Sequence, residues 1–327
     1  MIFDNELYTT FTGEVGACAT DGTYGYVIEY TGSTPIVAYL HAVDLSDMSK
    51  IYRMDIYADL NYSLKAESGY IMLTMAEGSL VSYSLLTFNG STFTHIDSAS
   101  LVGSDFVYSS YTQFVCVRGS YWYFTCDNVI YKQAIGSYSK AANYTLPSGY
   151  FTDGCLFGDY LFMSTGASRT VTDSLRAFEF DGSGDVSLVD TLSLSGYYLY
   201  EHATNWFMRP YEFLLYSSNL HIGSFNGSTL SIDKEIPDSG AYHYGTIDAI
   251  SNNILYTISS VDAYYWYAVR VKSGRVIVLD KYYTNLTETA SAVSGKSIVL
   301  STVGADNRFT SFTRANTGSR FSADIII

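Results

Sequence analysis

The chain has 327 residues, among them 32 tyrosines, 18 phenylalanines and only 4 prolines, while charged residues make up 15%. This composition is typical of many strands joined by tight turns and disfavours long helices. The formal net charge of −14 disfavours binding to a nucleic-acid backbone, and no apolar run reaches the roughly 18 residues of a membrane span.

The N-terminal residues lack the basic start and apolar core of a secretory signal, so we expect no cleaved leader. A repeat begins after residue 12. Its first marker is a small or apolar residue, then a Gly-centred or similar turn, then an apolar strand. Seven copies follow one another at intervals of 39 to 52 residues, at 18–22, 66–69, 116–119, 155–158, 207–210, 249–252 and 292–295.

A second marker recurs between copies of the first: a turn glycine before a strand of β-forming residues. The stretch 85–97 contains such a turn at Asn89-Gly90, and nearly the same words return near Gly182 and Gly227. The spacing is 44 to 47 residues throughout, which is too regular for scattered turns, and the marker glycines are Gly90, Gly136, Gly182, Gly227, Gly274 and Gly318.

Four strand-like runs fill each repeat, as at residues 63–67, 70–75, 80–88 and 92–98. Four antiparallel strands in about 45 residues are typical of one β-propeller blade. The sequence therefore predicts an all-β, seven-bladed β-propeller of four-stranded antiparallel blades. A β-helix, the main rival, has shorter coils.

The predicted propeller accounts for the whole chain, so we expect a single domain over residues 1–327. The position of the outermost strand of the last blade is left open by the sequence. Residues 320–327 could form it, in which case each blade is one contiguous repeat. Residues 1–12 would then be an N-terminal extension; alternatively, they add a clasp strand to the last blade.

Across its length the chain resembles the seven-bladed β-propeller superfamily. It lacks the Gly-His and Trp-Asp pair, the paired kelch glycines and the sialidase box. The words Phe-Asn-Gly-Ser-Thr and Phe-Asp-Gly-Ser, with a Tyr-, Ser- and Thr-rich and Lys-poor composition, resemble propellers of phage virion proteins, such as those in the tail tubes of short-tailed phages. This resemblance implies a structural or attachment role and location in the virion; the alternative is an extracellular location.

Tyrosines concentrate in the predicted connections between blades. Tyrosine combines a large apolar body with a polar tip, which suits protein interfaces and sugar-stacking sites. The alternative is that these rings fill gaps between wedge-shaped blades. The predicted partner- or ligand-binding residues are Tyr57, Tyr62, Tyr108, Tyr111, Tyr150, Tyr197, Tyr198, Tyr200, Tyr242, Tyr244, Tyr282 and Tyr283.

The sequence contains no Gly-x-Ser-x-Gly nucleophile motif and no metal-ligand spacing, so we predict no catalytic residue, metal or cofactor. Glu201, His202 and His243 lie in the tyrosine-rich connections, where an acid/base pair is conceivable. We expect His95 and His221 to be exposed strand residues.

The four cysteines are predicted to be buried thiols, namely Cys18, Cys116, Cys126 and Cys155. A hairpin turn at residues 119–120 would set Cys116 opposite Tyr123 instead of Cys126. The segment 181–185 imitates the start of a calcium loop. The sixth residue of that pattern is Val186 and the twelfth is Leu192, so we reject a calcium site there.

The leading hypothesis is a non-enzymatic structural or attachment protein that presents a tyrosine-rich face to other virion proteins or to a glycan or receptor of the host surface. It includes a homo-oligomer within an assembly, but no nucleic acid and no insertion into membranes. One alternative is a lectin-like propeller that binds carbohydrate. Another is a glycoside hydrolase with its site at the channel mouth, which would need two carboxylates about 5 to 10 Å apart.

Overall fold

The computed structural model describes residues 6–32, 36–57, 61–77, 79–102, 115–167, 172–194, 206–209, 212–216, 220–236, 244–251, 254–259, 265–272, 275–283, 287–294, 297–303 and 307–313. Regular structure in these residues is entirely β-strand. None of them forms a helix with the length and hydrophobicity of a membrane span.

The described residues form 28 strands. In chain order they are β1 (Leu7–Phe11), β2 (Glu14–Thr20), β3 (Tyr24–Thr31), β4 (Val37–Asp44), β5 (Lys50–Ile56), β6 (Asn61–Glu67), β7 (Tyr70–Glu77), β8 (Leu80–Phe88), β9 (Phe93–Val102), β10 (Val115–Arg118), β11 (Tyr121–Cys126), β12 (Val129–Ala134), β13 (Lys140–Thr145), β14 (Tyr150–Phe157), β15 (Tyr160–Gly166), β16 (Ser174–Phe180), β17 (Val186–Ser193), β18 (Trp206–Arg209), β19 (Glu212–Tyr216), β20 (Leu220–Phe225), β21 (Leu230–Ile236), β22 (Tyr244–Ser251), β23 (Ile254–Ser259), β24 (Tyr265–Lys272), β25 (Arg275–Tyr283), β26 (Thr287–Ser294), β27 (Ser297–Val303) and β28 (Asn307–Thr313).

These strands build seven four-stranded sheets. The first six are meanders of consecutive strands: β2–β5, β6–β9, β10–β13, β14–β17, β18–β21 and β22–β25. The seventh sheet has the order β26, β27, β28, β1. The prediction of a seven-bladed, all-β propeller with four strands in each blade is confirmed.

The chain divides into two compact units. The first contains the described parts of Met1–Leu73, Thr87–Thr94 and Gly240–Ile327, and the second those of Thr74–Leu86 and His95–Ser239. The second sheet contributes residues to both units. A single domain over residues 1–327 stays a prediction.

The outermost strand of the seventh sheet is β1, which pairs antiparallel with β28, Leu7 opposite Ser311 and Phe11 opposite Asn307. Phe11 is buried in a cluster of the first unit that includes Val27 and Phe309. The sequence left open whether residues 1–12 form an N-terminal extension or a clasp strand of the last blade. The structure shows the clasp strand, which is β1. Residues 320–327 lie outside the described residues.

Burial falls from the inner to the outer strands, as the third sheet shows. Trp122 to Cys126 of β11 are all buried, because this strand is an apolar run with packing on both faces. The outer strand β13 carries small and polar residues and is half-buried or exposed throughout. In this sheet the second strand thus supplies core, and the fourth supplies surface.

The outer strands of five sheets contain one extra residue relative to their neighbours. The shifts in register lie opposite the steps Ala42/Val43, Ile130/Tyr131, Ala177/Phe178, Ile222/Gly223 and Ala268/Val269. Each is a β-bulge, which bends the outer strand and increases its twist.

Polar side chains of the outer strands bond to the following sheet at a regular interval in the second unit. Asp97 of β9 accepts hydrogen bonds from Gln133 Nε2 and Gly136 N, both at 2.8 Å. Asn143 of β13 accepts from Val186 N at 2.8 Å, and Asp190 of β17 accepts from Leu230 N at 2.6 Å. Three of these contacts satisfy backbone N–H groups, those of Gly136, Val186 and Leu230, and the fourth satisfies the side-chain amide of Gln133.

Two of the repeated turns are copies of one another. Gly90 and Gly227 have φ values of 90° and 94°, and the preceding side chains, Asn89 and Asn226, accept backbone hydrogen bonds from the turn. The turn at Gly182 is different, since the residue with positive φ there is Gly184, at 82°. The third copy of this sequence motif, at Gly182, therefore forms a longer turn.

This difference predicts unequal costs for the same substitution. Gly90→Ala is expected to lower the free energy of unfolding by about 1 kcal/mol, because an L-residue is strained at positive φ. Its Cβ would also lie 3.0 Å from the Tyr24 hydroxyl. The matched control is Gly182→Ala, whose Cβ would meet no atom within 4 Å. Urea unfolding should show a lower midpoint for the first variant only; equal midpoints would contradict the assignment of the turns.

Candidate interaction surface

The described members of the predicted tyrosine set lie at strand ends. Tyr57 directly follows β5. The others are strand residues instead of residues of the connections: Tyr62 in β6, Tyr150 in β14, Tyr244 in β22, and Tyr282 and Tyr283 in β25. The prediction that they lie within connections is corrected to this extent. The physical reason is that tyrosine favours β-strands, so the ladders extend to these residues; Tyr283, for example, is in register with residue 265 of β24.

Tyr57 and Tyr62 have different environments although they flank the same connection. The Tyr57 residue is 74% exposed. Tyr62 is half-buried, its ring centroid lies 6.2 Å from that of Tyr30, and its hydroxyl donates to the Tyr57 carbonyl oxygen. Burial raises the pKa of the Tyr62 hydroxyl and raises that of Tyr30 to about 12. Tyr62 is therefore a packing residue that supports the backbone of the displayed Tyr57.

Two further predicted tyrosines have described side chains. Tyr150 is half-buried and lies opposite Gly166, whereas Tyr283 is 56% exposed. Both readings of the tyrosine set, packing and display, thus apply to different members. Those outside the described residues are Tyr108, Tyr111, Tyr197, Tyr198, Tyr200 and Tyr242, together with Glu201, His202 and His243.

Sequence reasoning missed an exposed apolar pair in the second sheet. The hydroxyls of Ser82 and Ser100 lie 3.0 Å apart across β8 and β9. Leu80, the first residue of β8, and Val102, the last residue of β9, lie at the same end of these two antiparallel strands and are 40% and 79% exposed. The alternation of side chains along β9 could have revealed this exposure, because Val102 lies two residues after the exposed Ser100 and so faces the same side of the strand.

The two histidines expected to be exposed differ. His95 is exposed, and its ring stacks at a centroid distance of 6.4 Å on Tyr138, which is itself 59% exposed. The prediction for His221 is wrong, since it is 2% exposed in β20. Burial lowers the pKa of the His221 imidazole, against the opposing charge of Glu235.

The calcium-like segment is a turn held by its own carboxylates. Asp181 Oδ1 accepts from Ser183 N at 2.8 Å and from Asp185 N at 2.8 Å. Asp185 Oδ1 accepts from Lys132 Nζ at 2.7 Å and from Asn143 Nδ2 at 2.6 Å. These hydrogen bonds hold the pKa of each carboxyl below its usual value. The largest contribution comes from Ser183 for Asp181 and from Lys132 for Asp185. Both side chains act as ionised turn anchors.

The cysteines form no disulfide in the structure, which describes all four of them. Cys18, Cys116 and Cys126 are buried, and Cys155 is half-buried, so the expectation of buried thiols is right for three. Cys116 lies opposite Tyr123, as the turn predicted. In the part of the chain that the structure describes, no group of three or more His, Cys, Asp and Glu side chains could hold a metal ion.

Solved structures resemble this fold over nearly the whole chain. The β-propeller domain of Cps50 (Swd1) from Myceliophteria thermophila superimposes with a TM-score of 0.63 at 10% identity, covering 95% of this chain and all of that one. The fold is that of a β-propeller. A chain of a mitotic checkpoint complex gives a TM-score of 0.63 at 9% identity and covers 95% of this chain and 92% of its own length.

Raptor from Chaetomium thermophilum gives a TM-score of 0.64 at 9% identity, covering 94% of this chain. This chain spans only 28% of the Raptor chain. No protein-family profile and no curated protein sequence matches the chain. Identities of this size bear on the fold alone.

Proposed function

We propose that this propeller is a non-enzymatic scaffold that binds a protein partner through residues at its strand ends, with Tyr57 as the central contact. The observation that carries the proposal is a 74% exposed tyrosine, Tyr57, whose carbonyl oxygen accepts a hydrogen bond from the Tyr62 hydroxyl. A tyrosine side chain has few rotatable bonds, so it can bury a large area at a partner with little loss of conformational entropy.

Two further observations support binding over catalysis. The carboxylate of Asp181 accepts hydrogen bonds within its own turn, that of Asp185 accepts from Lys132 of the preceding sheet, and that of Asp159 pairs with Arg118 at 2.8 Å on the surface. One structure that shares the fold is a chain of a multiprotein checkpoint complex. We therefore propose assembly, not turnover, as the role of this chain.

The finer proposal places this scaffold in a phage particle, where it contacts neighbouring virion proteins or a receptor or glycan of the host surface. The Phe-Asn-Gly-Ser-Thr words and the Tyr-, Ser- and Thr-rich composition support it. Quantitative mass spectrometry of purified particles tests it. The protein is expected at a fixed copy number per particle, and its presence in the lysate but not in the particles would contradict this location.

The prediction for Tyr57 uses a photo-crosslinking amino acid at that position in the native host or particle. We expect it to capture one defined protein, which is then purified for binding measurements. Tyr57→Ser should weaken that binding at least about tenfold, as is usual for a central aromatic contact, without changing the unfolding midpoint.

The matched control is Tyr138→Ser, which removes another tyrosine that is 59% exposed. It should leave the affinity unchanged. Equal affinity of the Tyr57→Ser variant and the unmodified chain would contradict the proposal. Binding of a specific sugar on a glycan array, lost in the Tyr57→Ser variant, would instead assign this surface to carbohydrate.

A further inference from the structure

The connection between β1 and β2 is short and tightly packed. Only Thr12 and Gly13 join the outermost strand of the seventh sheet to the innermost strand of the first sheet. A Cβ on Gly13 would lie 2.0 Å from the Tyr30 carbonyl oxygen, so the connection lies directly against the backbone of β3. Whatever fixes Thr12 and Gly13 therefore also fixes the end of β1.

A single buried carboxylate fixes this connection. Glu29 of β3 is 4% exposed, and its Oε1 accepts hydrogen bonds from Thr12 N at 3.1 Å, Thr12 Oγ1 at 3.1 Å and Gly13 N at 2.9 Å. Its Oε2 lies 2.8 Å from Nε2 of His41, which is 5% exposed in β4. Because a carboxylate only accepts, His41 Nε2 carries the proton.

Cations and aromatic rings surround the pair. Lys50 of β5 donates from Nζ to the Thr10 carbonyl oxygen at 2.6 Å and lies 4.2 Å from the Phe11 ring centroid. Arg53 lies opposite His41 across β4 and β5, with its guanidinium 4.3 Å from the centroid of the Tyr39 ring. On β28, the Arg308 guanidinium covers the Tyr8 ring at 4.5 Å. The Phe11 ring meets His41 edge-on, at 5.0 Å between centroids.

These surroundings make neutral His41 and ionised Glu29 the preferred forms. Burial, together with Lys50 and Arg53, lowers the pKa of His41 below its ordinary 6.5, although Glu29 opposes this. Burial by itself would raise the pKa of Glu29. Hydrogen bonds from Gly13 and Thr12, together with the nearby His41, outweigh burial and bring that pKa below 4.5.

Protonation of either group therefore costs folding free energy. The contribution of His41 to stability is present above pH 6.5 and is lost as the pH falls from there through its lowered folded-state pKa. The contribution of Glu29 is present above pH 4.5 and is lost as the pH falls through its own lowered value. The histidine responds first. Its protonation keeps the bond to Glu29 but puts a buried positive charge beside Lys50, which holds Thr10 of β1, and beside Arg53, and opening of β1 relieves this repulsion. Protonation of Glu29, at lower pH, then removes the acceptor of Thr12 and Gly13.

We propose that Glu29 and His41 form an acid-sensitive latch that holds β1 in the seventh sheet and releases it at low pH. The latch is independent of the proposed scaffold function. Its location confines the response to one strand: β1 is joined to the first sheet only by the latched connection, while its ladder partner β28 is about 300 residues away in the chain.

Hydrogen exchange of the intact protein tests the latch. Between about pH 7.5 and about pH 5, amide exchange of Leu7–Phe11, corrected for the intrinsic rate, is expected to accelerate at least about tenfold. The reference strand β15 of the second unit should change less than about twofold. Retention of β1 protection at the lower pH, or equal loss in β15, would overturn the proposal whatever the variants show.

Two variants assign the response to its residue. His41→Gln keeps a donor toward Glu29 but cannot be protonated, and it should reduce the acceleration at β1 to less than about threefold. The matched control is His221→Gln, which removes the second buried histidine among the described residues and should preserve the full acceleration at β1. An unchanged acid response in the His41→Gln variant would also overturn the proposal.

Discussion

Replacing Asp97 with alanine is expected to lower the free energy of unfolding by about 3 kcal/mol, because one buried carboxylate accepts hydrogen bonds from three groups at once. Asp97 is fully buried. Its carboxylate accepts from Gln133 Nε2, Gly136 N and Ser98 N, each at 2.8 Å. In the alanine variant Gly136 N and Ser98 N lose this acceptor, and Gln133 Nε2 keeps only its longer bond to the Ser98 carbonyl oxygen, at 3.2 Å. The loss of an acceptor at donors that are partly shielded from water adds to the value of the hydrogen bonds themselves.

Urea unfolding with a common m-value measures this loss. Asp97→Asn, which keeps the shape and one acceptor oxygen, should fall between the alanine variant and the unmodified chain. The surface control is Asp159→Ala, whose side chain is 79% exposed in its pair with Arg118. It should cost less than about 1 kcal/mol. Similar midpoints for Asp97→Ala and Asp159→Ala would contradict a structural role of the buried carboxylate.

Phe162→Ala is expected to lower the free energy of unfolding by about 3 to 5 kcal/mol, the usual range for a buried aromatic side chain. Phe162 is fully buried in a cluster with Leu175, Phe213 and Phe225. Its ring centroid lies 5.3 Å from that of Phe225, in an edge-to-face arrangement. The substitution removes both the apolar area and this contact, and the surrounding strands can close the cavity only in part.

Thermal and urea denaturation of the same sample measure this cost. Phe162→Leu should recover more than half of the lost stability, because it refills most of the cavity. Leu188→Ala, at a site that is 39% exposed on β17, should cost less than about 1 kcal/mol. A loss below about 1 kcal/mol for Phe162→Ala would show that this cluster does not contribute to the core as its burial implies.

The fold could be predicted from the sequence because it repeats. Asn89-Gly90 and Asn226-Gly227 form the same turn, and their spacing reports the period of the blades. Asp97, Asn143 and Asp190 follow the same period, at intervals of 46 and 47 residues. Their spacing could therefore have predicted the contacts between successive sheets. They were missed because a polar residue in an outer strand is usually solvated.

Other features depend on tertiary contacts that no local pattern reports. His221 is buried in β20, although polar residues near it in sequence, such as Asn219 and Ser224, are typical of a surface strand. The environment of His41 requires Glu29 and the distant Thr12, and three properties must coincide there: burial, charge and hydrogen bonding. The tyrosine-rich strand ends were located by composition, but only coordinates separate the packed Tyr62 from the displayed Tyr57.

The β-bulges of the outer strands have a consequence for how other chains can attach. A regular outer edge offers a row of unpaired backbone groups on which a foreign strand can assemble, and aggregation begins at such edges. The extra residue in β5, β13, β17, β21 and β25 interrupts that row and twists it away from a flat template. A partner of this propeller is therefore expected to recognise its side chains and loops, and strand addition at these five edges is disfavoured.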